Sequence, residues 1–173
     1  VPNRRTRTSL PPREPGIPAP DDVDAMTDAV LTASRLLVAI SARSIASVDE
    51  SITLSQFRLL VVLYARGPLK PTALAEALAV NPSTTTRMVD RLVAAGLVAR
   101  EANPDSRREL VVKLTGDGTR AVREVMRRRR SEIARIVDRM PGGTRRGLVR
   151  ALSAFAEASG DLSIGEQAGT RWL

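Results

Sequence analysis

Asn81 to Arg108, NPSTTTRMVDRLVAAGLVAREANPDSRR, holds a helix, a strand and a basic loop in quick succession. Asn81 is a favourable N-cap, and Pro82 suits the first helical position, where the amide that proline lacks has no intrahelical partner anyway. Thr85, Met88, Val89 and Leu92 recur at helical spacing, whereas Ser83, Thr84, Arg87, Asp90 and Arg91 fall on the other sides. One face is therefore expected to pack and the other to meet solvent. Gly96 supplies the left-handed residue that ends a helix, with Leu97 covering the last turn. Leu97 to Glu101 and Glu109 to Leu114 are expected to pair as a hairpin, the second strand setting Leu110, Val112 and Leu114 against Glu109, Val111 and Lys113. Between them Asn103-Pro104-Asp105-Ser106-Arg107-Arg108 reads as a turn with Pro104 at its second position, carrying Arg107 and Arg108 at its tip.

The elements before this stretch give it a context. Thr53 and Gln56 form a capping box, and Ile52 is placed to staple onto Phe57, so a helix starts there with Phe57, Leu60, Val61, Leu63 and Tyr64 on its apolar face. Gly67-Pro68 ends it. Pro71 opens a short helix in which Leu74, Leu78 and Val80 are expected to point inward, and the helix at Asn81 follows at once. Two short helices joined by a tight turn form a helix-turn-helix, and a basic hairpin directly after the second makes a winged helix. The fold class expected is mainly α with a small antiparallel hairpin, flanked by helices that pair two copies of the chain.

From Asp21 a long helix is expected, with Asp21, Asp22 and Asp24 at its positive end and Val23, Met26, Val30, Leu37, Ser41, Ile45 and Val48 at helical spacing. About 28 residues would span about 42 Å, long for a helix that packs only within one small domain. Residues 21–51 carry two arginines against six acidic residues, so this helix should turn away from DNA and is assigned to dimerisation. Thr115 caps a later helix with Val122, Met126, Ile133, Val137 and Met140 as its stripe, interrupted by the run Arg127 to Arg130. That run reads either as a solvated face or as a contact with phosphates or with an acidic partner such as the first helix. After Pro141-Gly142-Gly143 a last helix sets Leu148, Leu152, Phe155 and Ser159 on one side.

Composition bounds the function. Apolar residues make up 43% and aromatics 2%, which suits a core of Leu, Val, Ala and Ile between helices. The net charge is +8, and 25 of the 27 basic residues are arginine, the side chain suited to bidentate phosphate and base-edge contacts. Cysteine and histidine are absent, which excludes disulfides, thiol switches, Cys or His metal sites and His-based catalysis. No enzyme, cofactor or metal is expected. No unbroken run of about 18 apolar residues occurs and the first residues lack a signal-peptide core, so a cytoplasmic protein with no membrane partner is expected. Residues 1–20 hold six of the eleven prolines and four arginines, and read as a disordered tail, either solvated or touching phosphate. Residues 161–173 read as a second tail, loose or docked on a partner subunit.

The sequence resembles the MarR family of bacterial transcriptional regulators through LAEAL at 74–78, STTTRMVDRLVAAGLVAR at 83–100, the D-x-R pattern of PDSRR at 104–108, and LTGDG at 114–118, which fits L-T-x-x-G. The resemblance implies an obligate homodimer, a recognition helix in the major groove, a wing reaching the minor groove and often a small-molecule pocket between the dimerisation and DNA-binding parts. The domains expected are a tail at 1–20, a dimerisation helix at 21–51, the winged helix-turn-helix at 52–115, dimerisation helices at 116–160 and a tail at 161–173.

On double-stranded DNA, Ser83, Thr84 and Thr86 in the first turn of the recognition helix would meet phosphate or base edges, where the positive helix end favours anions. Arg87 is the candidate for bidentate contact with guanine. Arg91 would touch phosphate or pair with Asp90 or Asp105. Resemblance and loop position both put Arg107 at the minor groove, with Arg108 on the backbone and Asp90 and Asp105 as orienting partners. A repressor of a pseudo-palindromic operator is the reading, released by a small aromatic or anionic effector if a pocket lies between the first, second and fifth helices. A winged-helix module that binds protein without specific DNA binding is the alternative.

Overall fold

The structure, a computed structural model, describes residues 22–103 and 106–159, with side chains for all of these except 106–108. The elements run α1 (Val23–Ala46), α2 (Leu54–Arg66), α3 (Pro71–Leu78), α4 (Pro82–Ala94), β1 (Val98–Asn103), β2 (Ser106–Leu114), α5 (Gly116–Asp138) and α6 (Gly142–Ala158). The expected class is what is found: mainly helical, with one two-stranded antiparallel sheet. The two terminal tails lie outside the described residues.

The chain divides into two compact units, with the boundary inside α1 between Leu37 and Val38. In the first unit, the Asp22 carboxylate accepts a hydrogen bond from the Ala25 amide at 3.0 Å, fixing the start of α1. Val23, Met26, Val30, Leu31, Leu36 and Leu37 are all exposed. At 24 residues α1 is shorter than the expected 28. It is nevertheless long and apolar enough, by length and composition alone, to cross a membrane, with a mean hydropathy of 1.4 over 18 residues. No unbroken apolar run marks it, because residues such as Thr32, Ser34, Arg35 and Ser41 interrupt the run without making the average polar.

The second unit holds a continuous core in which Ile45, Ile52, Phe57, Leu59, Leu60, Leu63, Leu74, Leu78, Met88, Val89, Leu92, Val98, Val112, Val122 and Val125 meet. Leu59, Leu60, Leu74 and Leu92 are each at most 1% exposed, and burying such a side chain contributes roughly 1.5–3 kcal/mol. The capping box forms as read: the Thr53 hydroxyl accepts from the Gln56 amide at 3.3 Å, and the Gln56 side chain accepts from the Thr53 amide at 2.8 Å. Gly67 ends α2 at φ 79°, a conformation open to glycine at little cost. Leu69 then exchanges both backbone hydrogen bonds with Val112, at 3.0 and 2.8 Å, which seats the α2–α3 loop on the edge of β2.

Two positions depart from the expected pattern. Val80 is exposed, because Ala79 takes the left-handed conformation at φ 54°, ends α3 and turns the chain outward. Leu110 is 52% exposed, whereas Val111 and Val112 are buried. Glu101, Ala102, Glu109 and Leu110 are all exposed, so the hairpin has run past the helices there and strict alternation no longer sorts inside from outside.

At the far end of β2 the Thr115 hydroxyl accepts from the Gly118 amide at 3.0 Å and donates to the Gly96 carbonyl at 2.7 Å, joining the start of α5 to the end of α4. A Cβ on Gly118 would stand 2.0 Å from the Leu97 carbonyl oxygen. The last position of L-T-x-x-G is therefore glycine because α5 begins in contact with backbone. α6 buries none of its residues, and Val149, Leu152 and Phe155 are 71%, 57% and 58% exposed.

Candidate nucleic-acid interface

α4 has the two faces that its spacing requires. Thr85, Met88, Val89 and Leu92 are buried, and Ser83, Thr84, Thr86, Arg87, Asp90 and Arg91 are exposed. Asn81 occupies the N-cap position but makes no side-chain capping bond; its carbonyl accepts from the Thr84 and Thr85 amides at 3.0 and 3.1 Å. The Thr86 hydroxyl donates to the Pro82 carbonyl at 3.0 Å, so its proton is already committed and only its lone pairs face outward. Arg87 and Arg91 form no ion pair among the described residues. Two unpaired guanidinium groups one turn apart on an exposed helix face can reach phosphate or base edges.

Asp90 has a partner that sequence reasoning did not reach. It pairs with Arg100 on β1, and not with Arg91 or Arg87. The pair joins the outer face of α4 to the first strand of the wing, a proximity created only when the chain reverses at Gly96, which has φ 71°.

The hairpin differs from expectation in where its arginines lie. β2 begins at Ser106, so Arg107 and Arg108 belong to a strand, and only residues 104–105 connect the two strands. The register runs Val98 opposite Leu114 to Ala102 opposite Leu110, and then shifts to Asn103 opposite Ser106. Arg107, Arg108 and Glu109 are the extra residues taken up by that shift. The side chains of Arg107 and Arg108, and all of Pro104 and Asp105, lie outside the described residues. Glu109 is held by Lys70 at 2.7 Å and by the Asn103 amide group, which donates to it at 3.3 Å; chiefly the hydrogen bond from Lys70 holds its carboxyl below the usual range.

The arginine run on α5 has a mixed fate. Arg127 and Arg128 both donate to Glu124, which lowers that carboxyl to about 2. Arg128 also donates to the Ser47 carbonyl at 3.0 Å, just past the C-terminal end of α1, and Arg43 of α1 pairs with Glu132 of α5. A cation on an unpaired helix-terminal carbonyl is favourable for the same reason that an anion is at the other end. Part of the run therefore engages the first helix, through backbone in place of an acidic side chain. Two recesses open on this unit: about 630 Å³ beside Thr72, Glu76, Asn81 and Thr84 between α3 and α4, and about 420 Å³ beside Tyr64, Lys113, Thr119 and Arg123. In the second, the Arg123 guanidinium donates to the Tyr64 hydroxyl at 3.1 Å and lies 5.9 Å from the ring centre.

A paired-helix motif whose second helix turns a polar, basic face outward, followed by a two-stranded hairpin, defines the winged helix-turn-helix class. Residues 52–110 match the MarR family. The multiple antibiotic resistance protein MarR of Salmonella typhimurium is 40% identical over 67 residues, 39% of this chain and 46% of that protein. The transcriptional repressor MdtR of Bacillus subtilis is 33% identical over 111 residues, 64% of this chain and 72% of that protein. The match thus spans about half the length of the first relative and most of the second. The crystal structure of Rv1404 from Mycobacterium tuberculosis is 57% identical, with a TM-score of 0.78 over 84% of this chain and 100% of that one. The chain belongs to the MarR family. Members of that family are transcriptional regulators.

Proposed function

We propose that the protein is a homodimeric, cytoplasmic repressor that binds double-stranded DNA at a pseudo-palindromic operator, with residues 52–115 reading DNA and residues 21–51 and 116–160 joining the two copies. The carrying observation is the exposed face of α4, on which Arg87 and Arg91 stand unpaired among the described residues beside Ser83 and Thr84. Arg87 reads a guanine in the major groove, Ser83, Thr84, Thr86 and Arg91 hold phosphate, and Arg107 and Arg108 follow the minor groove and backbone, with Asp105 orienting one of them. Segment 52–115 carries nine basic against five acidic residues, and 21–51 has the opposite balance, which supports this division of labour. The uncovered apolar side chains of α6 and of the first part of α1 support a second copy as their cover. A small aromatic or anionic effector that releases DNA is part of this reading, and the recess lined by Leu63, Tyr64, Leu114 and Arg123, with Lys113 held by Glu101 at its edge, is the candidate place for it.

Footprinting of genomic DNA with the purified protein tests the reading. A protected site with half-sites about 10 bp apart, and affinity that falls steeply with salt, is the expected result. Absence of protection, with DNA binding that is weak and indifferent to sequence, would favour a winged helix used for binding protein.

A further inference from the structure

Glu109 is an acidic residue in the outer half of a wing whose proposed role is to approach phosphate, so by charge alone it opposes binding. Its contacts give it another use. It ends the three-residue shift in register that contains Arg107 and Arg108. One carboxylate oxygen accepts from Asn103, the β1 residue at which the register changes, and the same oxygen stands 2.7 Å from Lys70. Lys70 is the N-cap of α3 and adjoins Leu69, whose paired hydrogen bonds to Val112 already anchor that loop to β2. The irregular part of the wing is thus tied both to its own partner strand and to the helix-turn-helix.

We propose that Glu109 is a positioning residue for DNA recognition, which with Lys70 and Asn103 fixes the backbone of the register shift and so sets where Arg107 and Arg108 meet DNA. The proposal rests on the reading of the wing as a DNA contact. Lys70 and Glu109 are each nearly half exposed, and an ion pair of that kind adds little to stability. Its value here is geometric: without it, Arg107 and Arg108 keep their charge but lose a fixed position. The carboxyl is held below its usual range by its partners and stays ionised at neutral pH.

The test compares Glu109→Gln with the unaltered full chain on the footprinted duplex and on a shuffled duplex of the same composition. Positioning and simple electrostatics predict opposite signs. Removing a negative charge beside DNA should tighten binding to both duplexes if Glu109 only repels. The proposal predicts that affinity for the footprinted duplex falls about fivefold, affinity for the shuffled duplex holds or rises, and the thermal midpoint is unchanged. In an Arg107→Ala background the same substitution should cost less than twofold, because the group being positioned is gone. Unchanged or tighter specific binding by Glu109→Gln, or a full fivefold loss persisting without Arg107, would overturn the proposal. An Arg107→Ala chain that binds as well as the original would remove the wing reading along with it, a pattern distinct from failure of Glu109→Gln alone.

Discussion

Leu92 on α4 and Phe155 on α6 both lie on the apolar side of an amphipathic helix, yet Leu92 is 1% exposed and Phe155 58%. The contrast separates two regions of the molecule. From Ile52 to Val125 the chain supplies its own cover: α2, α3, α4, the hairpin and the start of α5 close one core, and both helix starts at Thr53 and Thr115 carry side-chain caps. In α6, and separately in the first unit, the apolar side chains have no such cover within the described residues. Hydrophobic spacing marks which face of a helix avoids water, but it is silent on whether that face is met by the same chain or by another.

The largest effects should come from the closed core. Leu60→Ala removes a fully buried side chain and should cost about 2–5 kcal/mol, read as a lower urea midpoint with unchanged slope. Gly118→Ala forces a Cβ toward the Leu97 carbonyl and should cost about 1–3 kcal/mol in the same assay; a neutral result would show that α5 can shift relative to the wing. Glu124 accepts hydrogen bonds from Arg127 and Arg128, and Arg128 also reaches the Ser47 carbonyl. Its carboxyl is lowered in the folded chain from 4.5 to about 2, so its contribution is complete above pH 4.5 and disappears as pH falls toward 2. Glu124→Gln should flatten the acid side of the stability profile over that window and leave the basic side alone. The smallest effect on the fold should be that of Phe155→Glu, about 0.5 kcal/mol or less within the chain, together with a shift from dimer to monomer in sedimentation velocity. Unfolding of the winged region by this substitution would break the comparison.

Local signals carried most of the winged region. The Thr53–Gln56 box, the Thr115 cap and the Gly67 stop act over three or four residues, and each is found where the sequence puts it. The inward and outward faces of α4 were legible because all of its buried neighbours lie on one side. Contacts made by chain reversal were not legible: Asp90 with Arg100 needs β1 to lie along α4, and Glu109 with Lys70 needs the α2–α3 loop to reach the hairpin. The register shift that moves Arg107 and Arg108 from a loop into β2 has no marker in their own residue types. Gly118 was readable only as part of a pattern, since its physical reason is a carbonyl 21 positions earlier in the chain.

The central claim is that the outer face of α4 reads base sequence, with Arg87 at its centre. Arg87 is exposed and unpaired among the described residues, so replacing it by alanine disturbs no contact of the fold. The direct measurement is the affinity of Arg87→Ala for the footprinted duplex relative to the shuffled one. If Arg87 pairs with a guanine, that ratio falls by about 5- to 150-fold, equivalent to about 1–3 kcal/mol, with little change on shuffled DNA. An unchanged ratio, or an equal loss on both duplexes, would mean that α4 holds phosphate only and that the sequence is read elsewhere.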